Sequence, residues 1–286
     1  HPLIERAVVR LWQPTGSRPS RHCVRCGLPD NVPEATFDEE GVCATCRSYE
    51  AIRHQADAWF RTTDDLRALH AAAREARTGS YDAVHLLSGG KDSTYALYQL
   101  VDQGFDVLCL TLDNGFISEG ALANVRRSVA DLGIDFEILT SEVMNEVFRD
   151  SLDRFSNVCH GCYKTIYTLA TQRAVEVGAP LIFTGLSRGQ LFETRLIPEQ
   201  FTTGRFDPDA IDAATIQARR AYHRLDDGTN RLLDTSVFAA DAYENGDVFD
   251  RVQYVDFYRY VDVELSEMLD FLDNRAPWVR PSDTGR

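Results

Sequence analysis

Ala83-Val84-His85-Leu86-Leu87 runs directly into Ser88-Gly89-Gly90-Lys91-Asp92-Ser93-Thr94, and from Thr94 to Gln103 apolar residues recur at helical spacing until Gly104. The first five residues have the length and composition of a buried strand, so a glycine-rich turn here opens a helix. Two glycines let the backbone come close to an anion, and the unpaired N–H groups of the first helical turn point at it. Ser88, Ser93 and Thr94 add hydroxyl donors, which makes polyphosphate the natural guest. The run is not a Walker loop, because Lys91 is followed by Asp92 and the first glycine of that motif is missing; nor is it a dinucleotide fingerprint. The plainer alternative is an ordinary strand-to-helix turn with glycine and an N-capping serine.

Ser88-Gly89-Gly90-Lys91-Asp92-Ser93 resembles the signature of the PP-loop ATP pyrophosphatases, Ser-Gly-Gly-x-Asp-Ser after the first strand. The resemblance implies an adenine nucleotide α-hydrolase-like fold: a doubly wound, Rossmann-type α/β domain with a mostly parallel five-stranded sheet. It also implies that ATP with Mg2+ binds with its phosphates on residues 88–94, and that a substrate oxygen is adenylated with release of pyrophosphate. A nitrogen or sulfur nucleophile then displaces AMP. Within that scheme Lys91 and Asp92 are the loop's catalytic candidates, Lys91 and the backbone N–H groups stabilising charge on the departing pyrophosphate. Members of the superfamily include tRNA thiolases, cofactor-building sulfur insertases, asparagine and GMP synthetases and sugar amidotransferases.

Bulk properties narrow the substrate. The 286 residues, 44% hydrophobic, suffice for one large domain with a small satellite. With no apolar run of about eighteen residues and no signal-peptide pattern, the chain is expected to be soluble, cytoplasmic and without a membrane partner. A formal charge of −14 is the reverse of a nucleic-acid footprint. The cluster Arg219, Arg220, His223 and Arg224 reads as a solvated helix face. A small-molecule or carrier-bound substrate therefore ranks above tRNA.

Cys23, Cys26, Cys43 and Cys46 form Cys-x2-Cys, sixteen intervening residues, then Cys-x2-Cys, the spacing of a tetrahedral four-thiolate zinc site. Such a site is structural, since no coordination position stays open. Disulfides are the alternative, disfavoured without a secretory signal. Gly27, Pro29, Pro33 and Gly41 supply the turns. The segment also resembles the N-terminal zinc element of the N-acetyl sugar amidotransferases.

Cys159-His160-Gly161-Cys162 precedes a helical pattern, Tyr163 to Val177, that ends at Gly178 and leads to the apolar strand Leu181 to Thr184. A helix entering a parallel strand starts at the sheet's carboxyl edge, where nucleotide sits, so Cys162 is expected at a helix N-terminus facing the phosphate site. There the helix dipole and Lys164 would favour a thiolate that serves as nucleophile or metal ligand. The alternative is a buried pair that packs, as Cys109 does in its strand. This stretch resembles the PP-loop thiolases, in which two such cysteines and a third hold a 4Fe-4S cluster that presents sulfur to the adenylate. No cysteine follows Cys162, so either the third ligand lies beyond Arg286 or the pair works as a dithiol. Sugar amidotransferases lack the pair, which tilts the reading toward sulfur delivered at Cys159 and Cys162, with a sulfur-donor protein as partner. The alternative is amide transfer with ammonia from a glutaminase subunit; a third reading is a nucleotide-binding regulatory module whose knuckle recruits a partner. A homodimer is left open.

Other candidates share the sheet edge. Asp113 and Gly185 close strands, and Arg188 and Arg195 are placed to steady pyrophosphate or an anionic substrate. Leu186 to Thr194 resembles the thiolase segment Gly-His-Asn-x-Asp-Asp-x-x-Glu-Thr, keeping Glu193 and Thr194 but not the paired aspartates. The expected organisation is a linker over 1–20, a zinc knuckle over 21–50, a bridging helix over 51–78, the ATP-binding domain over 79–260 and a C-terminal helix and tail over 261–286. Strands are expected near 83–87, 107–112, 136–140, 181–184 and 252–257.

Overall fold

The computed structural model describes residues 20–32, 35–191, 194–195, 207–222, 248 and 251–280, and the chain divides into two compact units between Ala58 and Trp59. In the first unit, antiparallel bridges join His22 to Pro29 and Phe37 to Cys43, and α1 (Ala44–Asp57) follows. The single helix expected over 51–78 is instead two. The first begins inside the knuckle because the Cys43 side chain caps it, accepting from the Cys46 N–H. The second, α2 (Thr63–Ala76), is started afresh by a reciprocal box: the Thr62 hydroxyl accepts from the Asp65 N–H at 3.2 Å while the Thr62 N–H donates to the Asp65 carboxylate at 2.8 Å.

The second unit is built on five parallel strands: β1 (Ala83–Leu86), β2 (Val107–Asp113), β3 (Phe136–Thr140), β4 (Leu181–Thr184) and β5 (Gln253–Asp256). Their order is β3-β2-β1-β4-β5, so the expected mostly parallel sheet is parallel at every pairing. Crossovers and flanks are α3 (Lys91–Asp102), α4 (Glu119–Leu132), α5 (Met144–Phe155), α6 (Val158–Val177), the single turn α7 (Arg188–Leu191), α8 (Pro208–Tyr222) and α9 (Leu265–Arg275). Among the described residues no helix is long and apolar enough to cross a membrane. Helix α6 starts five residues before the periodicity suggests, because the Asn157 side chain accepts from the Cys159 N–H at 2.8 Å and caps it. Cys159 and Cys162 thus lie inside the first two turns, not ahead of them.

Strand alternation sorts the core into two layers. Val84 is the register partner of Leu108 and Ile182, and this row packs with Ala170 and Ala174 of α6, small residues that let the helix approach the sheet. Each fully buried aliphatic side chain in such a layer contributes ~1.5–3 kcal/mol. The opposite row joins His85 to Cys109 and Phe183, all fully buried. At the amino edge the buried Asp82 carboxylate accepts from the Asp106 N–H at 2.8 Å and meets His70 and Arg77, each at 3.0 Å. Arg74 reaches the same carboxylate at 3.6 Å, so Arg74 of α2 and Arg77 at its C-terminal cap both bind the start of β1.

His85 is a polar residue in an apolar row, and the chain uses it. Its Nε2 lies 2.9 Å from the Ser93 carbonyl, which can only accept, so Nε2 carries the proton. Burial drives the pKa down to about 4, against the opposing pull of that carbonyl. Below its ordinary value the unfolded chain takes up a proton that the folded chain refuses, so stability is full above about pH 6.5 and falls as pH drops toward 4. At 1.36 kcal/mol per unit, the loss between pH 7 and pH 5 is about 2 kcal/mol. Urea titrations at the two pH values are expected to show this increment in the wild type and to lack it in His85→Gln.

Candidate active site

The carboxyl ends of β1 and β4 adjoin at the point where the strand order reverses, the position where open α/β sheets bind ligands. A cavity of about 410 Å³ opens there, lined by Ser88, Gly90, Asp92 and Ser93 from the loop and by Thr184 and Gly185 from the end of β4. Asn114, Cys162, Tyr163, Tyr167 and Gln190 also line it. Gly89 has φ +76°, and a β-carbon there would sit 2.1 Å from the Ala121 carbonyl oxygen. At Gly185 a β-carbon would meet the Ser93 Cα at 2.7 Å. The serines shape the turn: the hydroxyls of Ser88 and Ser93 are 2.9 Å apart, and the Ser88 N–H donates to the Ser93 hydroxyl at 3.2 Å. Helix α3 is capped by Gly90, which offers no side-chain acceptor, so its first-turn N–H groups are left for an anion. Loop and cavity fit the phosphates of ATP.

Not every predicted contact lies at the cavity. Lys91 Nζ sits 2.6 and 2.8 Å from the two Asp92 oxygens, so its charge is taken up by the neighbouring carboxylate. The Asp92 carbonyl accepts from the Tyr258 hydroxyl at 2.9 Å. Thr94 is fully buried, its hydroxyl without a hydrogen-bond partner, and does not line the cavity. Asp113 turns its carboxylate to the Gly115 N–H at 2.9 Å, and the next residue, Asn114, reaches the wall instead. Arg188 is held away: it pairs with Asp262 at 3.0 Å, donates to the Tyr258 carbonyl at 3.2 Å and stacks 4.2 Å above Phe60. Arg195 Nε stands 3.7 Å from Asp256, whose other oxygen accepts from Thr184 at 2.6 Å. Glu193, Arg224 and His223 fall outside the described residues.

Cys162 does reach the cavity wall, while Cys159 is exposed. Asn114 Nδ2 donates to the Cys162 sulfur at 3.4 Å, its amide oriented by the Phe116 N–H, which donates to Oδ1 at 2.9 Å. Burial raises the Cys162 thiol above its ordinary value, outweighing the Asn114 hydrogen bond, with the Cys159 charge adding to the rise. The expected thiolate is therefore a thiol in this state, and Lys164 is buried. Of the seven cysteines only Cys162 lines the cavity; Cys159, one helical turn before it, is exposed, and Cys109 is buried within β2. Cys159 and Cys162 supply two of the three cysteines that a 4Fe-4S cluster of the thiolase kind uses. Sequence reading missed Asn114, Tyr163 and Tyr167; the first carried a signal, its place in the strand-ending Asp113-Asn114-Gly115 turn.

In the first unit the sulfurs of Cys23, Cys26, Cys43 and Cys46 all lie within 4.8 Å of one another, Cys23 to Cys46 at 3.9 Å and Cys26 to Cys43 at 3.6 Å. Tetrahedral zinc with Zn–S near 2.3 Å sets its sulfurs ~3.8 Å apart, so the four residues fit the ion. Burial opposes ionisation of Cys23, but N–H donors of Cys26, Cys43 and Arg25 overcome it and bring the thiol down to about 6.

Two measurements follow from these geometries. Metal analysis of the purified chain is expected to give one zinc per molecule and to lose it in Cys43→Ser, the one of the four ligand cysteines with no exposed surface. Gly185→Ala, which drives a methyl group into the backbone of Ser93, is expected to destabilise the domain by about 1–3 kcal/mol and to weaken ATP binding, read by thermal melting and calorimetry.

The model of the queuosine biosynthesis protein QueC family matches residues 82–163, which hold β1, the loop, β2, β3, Cys159 and the cavity-lining Cys162. Over 72 residues the chain is 39% identical to the 7-cyano-7-deazaguanine synthase of Methanoregula boonei, covering 25% of this chain and 33% of that protein. Over 114 residues it is 32% identical to the tRNA-specific 2-thiouridylase MnmA of Helicobacter hepaticus, covering 35% and 32%. The matched stretches thus span about a third of the length of these curated relatives. Among solved structures, the NH3-dependent NAD synthetase of Campylobacter jejuni aligns at 14% identity and TM-score 0.34, covering 60% of this chain and 87% of that one. The NMN synthetase of Francisella tularensis aligns at 15% and TM-score 0.35, covering 70% and 95%. The loop signature and the matched stretch make residues 82–163 similar to proteins of the PP-loop ATP pyrophosphatase superfamily.

Proposed function

We propose that the chain is an ATP-dependent transferase that forms AMP and pyrophosphate, adenylating a substrate oxygen and replacing it with sulfur delivered through Cys159 and Cys162. One observation carries this reading: Cys162 lines the same cavity as the phosphate loop. The substrate oxygen attacks the α phosphate, the bond to the β phosphate's bridging oxygen breaks, and pyrophosphate leaves with that electron pair. The first-turn N–H groups of α3 take up the charge, joined by Lys91 once phosphate displaces it from Asp92. Mg2+ would neutralise part of the same charge.

Sulfur then arrives as a persulfide from a sulfur-donor protein, for which exposed Cys159 is the accessible member of the pair. The terminal sulfur attacks the activated carbon and AMP departs. The second cysteine breaks the S–S bond, leaving a cystine that an external thiol reduces. With a net charge of −14, a small-molecule or carrier-bound substrate ranks above tRNA, and a cytoplasmic setting is part of the same proposal.

Amide transfer with ammonia from a glutaminase partner is the second reading. What favours it is that burial holds Cys162 as a thiol, together with the amidotransferase-like knuckle; ammonia needs no cysteine. Assays of AMP and pyrophosphate release with sulfide, a persulfide donor or ammonium separate the two. Cys162→Ser is expected to bring the sulfur product to background while ATP affinity stays unchanged; turnover intact in that variant would sink sulfur transfer and leave amide transfer. Lys91→Met is expected to cost roughly 10²–10³ in kcat under either reading.

A further inference from the structure

We infer that Trp278 and Asn124 are positioning residues for the phosphate loop: they hold the Gly89 carbonyl away from the nucleotide cavity and so keep the Gly90 N–H on the cavity side. The inference rests on the reading of residues 88–94 as the phosphate site for ATP. Trp278 Nε1 donates to the Gly89 carbonyl at 3.0 Å, and Asn124 Nδ2 donates to the same oxygen at 3.2 Å. Both donors are buried, Asn124 completely and Trp278 to within 8%. They come from separate places, the middle of α4 and the segment that follows α9.

That segment is itself fastened to α4. The Asn124 side chain behaves as a strand partner, donating to the Val279 carbonyl at 2.7 Å and accepting from the Val279 N–H at 2.9 Å. Arg127 adds a bond to the Pro277 carbonyl at 2.9 Å. Residues 277–279 therefore form a strap across α4 that ends on the phosphate loop.

The consequence follows from the planarity of the peptide. No cis bond occurs among the described residues, and in a trans peptide the C=O and the following N–H point in opposite directions. Fixing the Gly89 oxygen on Trp278 and Asn124 therefore turns the Gly90 N–H the other way. Gly90 and Ser88 line the cavity whereas Gly89 does not, and the Gly90 N–H donates to the cavity-lining Ser88 hydroxyl at 3.4 Å. Glycine at φ +76° lacks the side chain that would otherwise restrict this peptide. If it flipped, a carbonyl oxygen would face the polyphosphate where an N–H should, replacing attraction by repulsion. The two donors prevent that flip.

The test separates positioning from packing. Trp278→Phe keeps a ring and removes the donor; Asn124→Asp keeps the acceptor for Val279 and removes both donors. Affinities for ATP and for adenosine are measured by calorimetry on the whole chain, with thermal melting alongside. Each variant is expected to bind ATP about 3–10-fold more weakly, the worth of one hydrogen bond, with adenosine binding unchanged. Amide exchange at Gly90 is expected to quicken in both. Equal weakening toward ATP and adenosine, or no weakening in a variant that folds, would overturn the inference. Should Trp278→Phe fail to fold, Asn124→Asp decides. A wild type that binds adenosine but gains nothing from the phosphates overturns the ATP reading at residues 88–94 and the strap with it, whereas phosphate-dependent binding that both variants share defeats the strap alone.

Discussion

Backbone crowding around residues 88–94 is the constraint from which the rest of the second unit follows. The Ala121 carbonyl approaches Gly89, and Ser93 approaches Gly185, so closely that a β-carbon at either glycine would overlap main-chain atoms. Such contacts exist only if β1 and β4 lie side by side with their carboxyl ends level, which is the register observed from Ala83 and Leu181 onward. They also fix the start of α3 against the end of β4 and the start of α4 against the loop. The cavity is what remains when three backbone segments converge without side chains between them.

Much of this was legible in the sequence. Each strand was expected within a residue or two of its place, because a parallel sheet covered by helices writes itself as apolar runs separated by helical periods. The loop was legible for a similar reason: glycine at a close approach leaves a mark that no other residue can substitute. Periodicity records burial, however, and says nothing of the partner a polar side chain will find. Arg188 looked like a phosphate ligand from its position in the chain, yet Asp262, Phe60 and the Tyr258 carbonyl claim it. Thr94, counted among the loop hydroxyls, is carried by the helical rotation of α3 into the interior. Asn124 and Trp278 were invisible because their meeting with Gly89 spans 35 and 189 residues.

The cysteine pair shows how a local rule yields to its surroundings. A helix N-terminus favours thiolate, and a lysine two residues on strengthens that expectation. Capping by Asn157 moves the helix start back by five residues, so Cys162 sits in the second turn, where the dipole's influence has fallen off. Enclosure in the cavity wall then dominates, and the Asn114 amide only softens it. If the pair transfers sulfur as proposed, a thiol held in its neutral form is protected from idle oxidation. The same thiol in an amidotransferase would be simply a wall residue.

Around the loop the supports are neutral and its charge is internally balanced. His85 is kept uncharged beneath Ser93, Tyr258 donates to the Asp92 carbonyl, Trp278 and Asn124 donate to Gly89, and Lys91 is neutralised by Asp92. Polyphosphate arriving there meets oriented N–H groups before it meets a free cation. To recruit Lys91 it must compete with a carboxylate less than 3 Å away, an exchange of one ion pair for another that gains little in itself. Affinity in the ground state should then come mainly from the amides and the helix terminus, which are fixed, while Lys91 becomes fully committed as negative charge accumulates on the departing pyrophosphate. An interaction that strengthens along the reaction coordinate lowers the barrier more than it tightens binding, and under the proposed reaction the Lys91–Asp92 pair would hold that interaction in reserve.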